Sequence, residues 1–388
     1  MAHPYRLDAT IEETLSAAAA IARDVAARHA PDVDARARFP EETVAALAER
    51  GLLGLCVPAA LGGKGQGPRA FAAAAEELGA ACGSSAMVFV MHVSAAQAIA
   101  SSKSLADKDA LLREIAAGRH LTTLALSEKG SRSQFWAPVS ALAERDGGFV
   151  TSAEKSWVTS ASRASSYVSS AQKPGAASPL ESTVYLARKG AKGMRVVGSF
   201  DGLGLRGNDS APVHIEDMAV AQGDLISTNG GGADTMFQVV LPWFALGTAA
   251  MSNGLARAAV AATAKHLTET RFEHSGSGLR DLPTLRARLA EMSARTEQAR
   301  ALLGHALAEV ETGSEVAPLF VLQTRMASLE AAVEVTDLAM KACGGAAFSK
   351  HLPVERLFRD ARAGWVMAPT VDHLKDFVGK ALTGLPLF

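Results

Sequence analysis

The chain has 388 residues, with 39 Lys and Arg against 40 Asp and Glu, a formal net charge of −1, and 48% hydrophobic and 20% charged residues. That length allows two or three domains, the composition excludes a disordered chain, and the balanced charge without a basic block removes the electrostatic footprint of a nucleic-acid binder. Three cysteines, Cys56, Cys82 and Cys343, stand without CxxC spacing or a His cluster, so neither a disulfide framework nor a metal site is expected.

Aromatic residues make up 5% and alanine-rich runs recur at 17–20, 72–75 and 258–262, which favours helix over strand. The periodicity predicts a helix from Ala9 to His29, ending before Pro31, and a second over 40–50, opened by Pro40 and closed by Gly51. Residues 52–68 carry too many glycines and prolines for either period and read as a structured loop. Helices follow at 68–82, 84–101 and 105–117; the middle one is apolar on nearly every face and is expected to be buried. No apolar run reaches the roughly 18–20 residues that span a bilayer, and MAHPYRLDATIEE lacks the basic flank and apolar core of a signal peptide. The expectation is a cytoplasmic protein starting near Met1.

Near residue 120 the pattern changes to short segments rich in Val, Thr and aromatics: LTTLALS, SALAER, GFVTSAEKSWVTS, STVYLAR, MRVVGSF and PVHIEDMAV. Asp146-Gly147-Gly148 between the second and third is hairpin chemistry, since glycine supplies positive φ. After GDLISTNGGGADT the helical period returns, with helices near 233–272, 283–312, 316–343, 353–362 and 370–382. Three domains follow: helical over 1–119, β over 120–229 and a helical bundle over 230–388. No GxGxxG strand–helix junction, GxxxxGK[ST] loop, HExxH or GxSxG elbow is present.

Four strings in this order carry a resemblance: FPEETVAALAERGLLGLCVPAALGGKGQG, LALSEKGSRSQF, AEKSWVTSAS and KACGGAAFSKHLPVERLFRDAR. Together they resemble the acyl-CoA dehydrogenase family of flavoproteins over nearly the whole chain. The resemblance implies an α+β, mostly α fold: an N-terminal helical domain, a central β-barrel-like domain and a C-terminal four-helix bundle. It implies FAD as cofactor. Leu124, Leu126, Ser127 and Ser133 match the family's flavin loop, with Gln134 where the pattern prefers Asp. Trp157 and Thr159 match the aromatic and hydroxyl beside the flavin, and their period-2 spacing places both on one strand face. Arg271 matches an arginine that meets the FAD pyrophosphate of a neighbouring subunit, although FEHSGSG after it departs from the family string and leaves His274 and Gly276 unassigned. Gly344 and Gly345 match the Gly-Gly turn at FAD, Lys341 stands where the family has Gln, and Thr370 and Asp372 match the last flavin-contacting stretch.

The departure concerns the base. In the family a glutamate removes the α-proton of an acyl thioester while the flavin accepts the β-hydride, and its two alternative positions fall here on Ala368, followed by Pro369, and on Phe244. Neither accepts a proton. His92, mid-helix among apolar residues, is the candidate replacement, the other reading being a core histidine; Glu128, Glu76 and Glu77 are weaker candidates. Met91, His92, Trp243, Phe244, Met367 and Ala368 form the expected substrate pocket, with Trp365 beside it.

The expected activity is α,β-dehydrogenation of an acyl thioester, bound to CoA or a carrier protein, with a non-standard base. A flavin-dependent monooxygenase of the same fold, or a redox-neutral or catalytically silent member, are the alternatives. Expected partners are a small acyl thioester, an electron-transfer protein and further copies of the chain in a homotetramer, with no nucleic acid and no membrane.

Overall fold

The computed structural model describes residues 3–387. The first helical layer comprises α1 (Ala9–Ile21), α2 (Ala27–Arg36), α3 (Glu41–Glu49), α4 (Pro68–Ala81), α5 (Gly83–Ser101) and α6 (Lys108–Ala116). Local chemistry sets the ends: the Asp8 side chain accepts from the Ile11 N–H at the start of α1, and Pro68 opens α4 where its missing N–H is not needed. Contrary to expectation, the first helical stretch passes through Pro31 to Arg36, after a π-helical turn at Ala22–Ala26. The apolar faces of the flanking turns bury Ala26, Ala30 and Val33, and this packing outweighs the hydrogen bond a proline removes.

Seven strands follow: β1 (Thr122–Ala125), β2 (Leu142–Arg145), β3 (Gly148–Val158), β4 (Ser166–Gln172), β5 (Ser182–Arg188), β6 (Met194–Val196) and β7 (Ala211–Val220). They form two sheets, ordered β1-β4-β5 and β2-β3-β7-β6, with β1 parallel to β4. Asp146 and Gly147 both have positive φ, +52° and +77°, and Arg145 pairs with Gly148, so the expected hairpin is a two-residue turn. The sequence reading omits β4. SYVSSAQ shows no alternation because it is the central strand of its sheet, buried on both faces; the Ser169 hydroxyl donates to Ala125 O at 3.1 Å, whereas that of Ser170 has no partner among the described residues. Ala125, Tyr167 and Tyr185 from one sheet pack with Phe149, Val213 and Ile215 from the other.

The C-terminal part consists of α7 (Gly232–Thr235), a π-helical turn at Met236–Val240, α8 (Leu241–Glu269), α9 (Pro283–Thr312), α10 (Ala317–Cys343), α11 (Gly345–Phe348), α12 (Val354–Val366) and α13 (Val371–Thr383). The order helical, β, helical is the one the resemblance implies. Helix α4 crosses α8 with backbones nearly touching: a Cβ on Gly79 would lie 2.5 Å from Met251 O, and one on Gly254 2.2 Å from Glu76 O. Two helical stretches, Gly83–Ser101 and the 38 residues of Gly232–Glu269, are long and apolar enough to cross a membrane, which corrects the expectation of no such run. In this fold 89% and 78% of their apolar windows are buried inside the protein, as befits core helices.

Candidate active site

Where the β domain meets the start of α8 and the end of α12, the surface opens into a cavity of about 860 Å³. The β-domain wall carries Leu124, Leu126, Ser127, Ser133, Trp157 and Thr159; the helical wall carries Met91, Phe244, Trp365, Met367 and Ala368. Six of the proposed flavin residues and four of the proposed pocket residues thus line one space.

The strand argument for Trp157 and Thr159 is corrected. The β3–β7 register shifts between Lys155 and Val158, and Trp157 sits in the left-handed region at φ +56° with 69% of its surface exposed. Thr159 lies beyond the strand end, buried, with its hydroxyl 3.1 Å from that of Ser210. A bulge, not strand alternation, turns the indole outward, and a bulky residue held at positive φ is backbone strain of the kind concentrated at functional sites. The loop after β1 is fixed to this bulge: Ser156 N–H donates to Ser127 O at 2.9 Å and Lys129 N–H to Glu154 O at 3.0 Å. Beneath it lies a buried ion pair, Lys155 Nζ to Glu128 Oε1 at 2.6 Å. From the far side, the Leu205 N–H donates to Asp360 Oδ1 at 2.7 Å, and a Cβ on Gly204 would lie 2.3 Å from Arg359 O, so the loop through 202–205 is clamped on α12. Burial pushes the Asp360 carboxyl up to about 6.

An exposed flat indole, the hydroxyls of Ser127, Ser133 and Thr159, and an aliphatic floor of Leu124 and Leu126 fit a planar, polar-edged ring such as a flavin. The other expected cofactor residues do not reach this space. Arg271 is exposed and donates to Gly276 O at 3.4 Å; Lys341 is exposed and paired with Asp337 at 2.6 Å; Gly344, at φ +53°, and Gly345 have open space where a Cβ would stand. These four lie at the C-terminal ends of α8 and α10, which Cys343 Sγ joins at 3.7 Å from Thr263 Oγ1, while Arg288 Nη1 on α9 donates to Lys341 O at 3.3 Å. Phe244 lines the cavity from the opposite end of α8, so Arg271 is ~40 Å away at 1.5 Å per residue. Thr370 caps α13 by accepting from the His373 N–H, and Asp372 is exposed; neither lines the cavity.

The structure gives His92 the surroundings of a core histidine. It is fully buried, with Nε2 3.0 Å from Leu53 O and Nδ1 accepting from the Thr122 N–H at 3.1 Å, and it does not line the cavity. With Nδ1 accepting, Nε2 carries the proton, and both nitrogens are used. Burial pushes its pKa down to about 4. Trp243 turns from the cavity and packs on Phe71 at 5.6 Å between ring centroids. Glu128 touches the cavity, but its carboxylate accepts from Lys155, from the Ser140 hydroxyl at 2.5 Å and from the N–H groups of Val139 and Ser140 at 2.6 and 2.8 Å. Burial opposes its charge, yet the Lys155 ammonium and these donors hold the carboxyl below its usual range. Glu76 is buried against Tyr5, Arg300 at 3.0 Å and Arg257 at 3.4 Å, and Glu77 pairs with Arg257 at 2.7 Å. They join the N-terminal segment and α4 to α8 and α9, away from the cavity.

Phe244 and Ala368, the two positions where the resemblance would place the base, do line the cavity. Behind them is a residue the sequence reading missed. Arg325 on α10 is fully buried, its Cζ 4.7 Å from the Phe244 ring centroid and its Nη2 donating to Met367 O at 3.2 Å and Ala368 O at 3.4 Å. A lone charge inside PLFVLQTRMASL was the available signal.

Known families account for most of the chain: acyl-CoA dehydrogenase N-terminal domain over residues 8–119, middle domain over 123–218 and C-terminal domain over 230–382. The cyclohex-1-ene-1-carbonyl-CoA dehydrogenase of Geobacter metallireducens is 27% identical over 365 residues, covering 93% of this chain and 95% of the relative. The acryloyl-CoA reductase (NADH) of Anaerotignum propionicum is 27% identical over 338 residues, covering 86% and 84%. Among solved structures, butyryl-CoA dehydrogenase from Megasphaera elsdenii superposes with a TM-score of 0.92 at 21% identity, covering 97% and 99% of the two chains.

Proposed function

Because the chain belongs to the acyl-CoA dehydrogenase family, a family of FAD-dependent oxidoreductases acting on CH–CH bonds, we propose that it oxidises an acyl thioester, carried by CoA or a carrier protein, without a resident glutamate base. The observation that carries the second half is the identity of Phe244 and Ala368 at the cavity wall. FAD supplies the hydride acceptor when bound. In this chain Trp157 offers a face for the ring, and Ser127, Ser133 and Thr159 offer hydroxyls to its polar edge. Met91, Phe244 and Met367 exclude water from the acyl end. Among the described residues lining the cavity there is no imidazole, and the one carboxylate, Glu128, is held by Lys155 and Ser140. The α-proton therefore leaves to a group the substrate brings.

Arg271, Lys341, Gly344 and Gly345 are assigned to the FAD of a second copy, since they lie at the far end of the bundle from their own cavity. A homotetramer, or at least a dimer, follows, and light scattering that finds a flavin-loaded monomer removes the assignment. The free thiols of Cys56, Cys82 and Cys343 support a reducing, cytoplasmic setting. A second reading, a flavin-dependent monooxygenase of the same fold, is favoured by the same two residues, because that chemistry needs no carboxylate there. An anaerobic screen of acyl thioesters for flavin bleaching, run beside oxygen uptake with a flavin reductase, decides: bleaching supports dehydrogenation, and substrate-dependent oxygen uptake without bleaching overturns it.

A further inference from the structure

Arg325 is a charge without a counter-charge. It is fully buried, forms no ion pair among the described residues, and leaves Nε and Nη1 without a hydrogen-bond partner. On the same helix Thr324 Oγ1 and Ser328 Oγ are buried and have no partner among the described residues either. A desolvated guanidinium costs free energy unless an anion and full hydrogen bonding compensate. Burial alone lowers its pKa to about 9, so it remains charged near neutrality. Among the described residues its only polar partners are the carbonyls of Met367 and Ala368, and its face lies on the Phe244 ring; all three residues line the cavity. The charge is thus one residue layer behind the acyl end of the cavity, where the protein provides no carboxylate.

We propose that Arg325 is a specificity-determining residue that selects acyl thioesters bearing a second, distal carboxylate, so that the missing anion arrives with the substrate. This rests on the acyl-thioester reading. The carboxylate would lie against Phe244 and Ala368, attracted through a water-poor wall in which charge interactions are strong. An uncharged acyl chain of the same length gains nothing from Arg325.

The test titrates flavin-loaded protein with two CoA thioesters of equal chain length, one ending in a methyl group and one in a carboxylate, following perturbation of the flavin absorption spectrum. The expected result is at least about tenfold tighter binding of the carboxylate form, the scale of one desolvated charge pair. Arg325→Met abolishes the difference and Arg325→Lys retains part of it. Removing an unpaired buried charge for an apolar side chain of similar volume is expected to leave the melting temperature unchanged or raised, whereas a merely structural arginine would lower it. Equal affinities in the unmodified protein, or a preference that survives Arg325→Met, overturn the proposal and leave the thioester reading standing. Failure of both thioesters to perturb the flavin overturns the thioester reading and the proposal with it.

Discussion

Installing the absent base tests whether the cavity feels Arg325. Phe244→Glu puts a carboxylate where the ring now stands, with the Arg325 Cζ 4.7 Å from the ring centroid. At an effective dielectric constant near 20, two unit charges at that distance attract by ~3.5 kcal/mol, which lowers the carboxyl pKa by roughly 2.5. Burial raises it in opposition, so the single variant is expected to carry an ion-paired, weakly basic glutamate. Adding Arg325→Met removes the cation and leaves burial to act alone, lifting the carboxyl toward the range useful at neutral pH. General bases contribute about 10²–10⁴-fold, and a base weakened by this much forfeits roughly tenfold or more of that. The assay is the anaerobic rate of flavin reduction by a saturated acyl-CoA in single-turnover mixing from pH 5 to 9. The double variant is expected to exceed the single variant about tenfold at pH 7, with its rate midpoint at least one pH value higher. Indistinguishable rates and midpoints in the two variants refute the electrostatic coupling.

Four further outcomes follow. His92→Gln is expected to keep flavin content and turnover, since the ring only bridges Leu53 and Thr122. It should also flatten the acid limb of stability: the unfolded imidazole protonates below about 6.5 and the folded one only near 4, so stability from neutral His92 is full above 6.5 and lost as pH falls, ~3 kcal/mol in all, measurable by urea melts. Asp360 has the opposite sign: its carboxyl takes a proton near 6 when folded but only near 3.8 when unfolded, so its contribution is present at low pH and lost as pH rises through 6. Asp360→Asn, keeping an acceptor for the Leu205 N–H, should therefore stabilise by about 3 kcal/mol at pH 8 and little at pH 4 in paired melts. Lys155→Met strands Glu128 in the interior and is expected to cost about 3–5 kcal/mol and most flavin affinity, with Glu128→Gln added to it restoring part of the stability in calorimetry.

The sequence made the helical, β, helical order legible because alanine-rich 3.6-residue periodicity and short Val- and Thr-rich segments are local signals. It was silent where burial erased the pattern. The β4 strand lies inside its sheet, so SYVSSAQ shows neither alternation nor an aliphatic run; Ser169 is accommodated by donating to Ala125 O and Ser166 by the side chains of His120 and Thr122. Pro31 misled for the complementary reason: a local stop signal lost to the apolar contacts of Ala26, Ala30 and Val33.

The site divides along the same line. Sequence strings single out Ser127, Trp157 and Thr159, all of which line the cavity, yet the spacing argument for the last two fails, because the bulge that exposes Trp157 depends on pairing with β7, some sixty residues later in the chain. His92 and Arg325 show the limit more sharply. Both are single polar residues in apolar helices, and nothing in either window says which one faces the chemistry. The difference is tertiary: His92 meets an acceptor and a donor supplied by the loop at Leu53 and the strand at Thr122, so its burial is compensated inside the fold. Arg325 meets two carbonyls and an aromatic ring and retains unpartnered Nε and Nη1. Of two equally conspicuous residues, the one whose polar groups the fold satisfies is structural, and the one it leaves unsatisfied beside a cavity is where substrate selection should be sought.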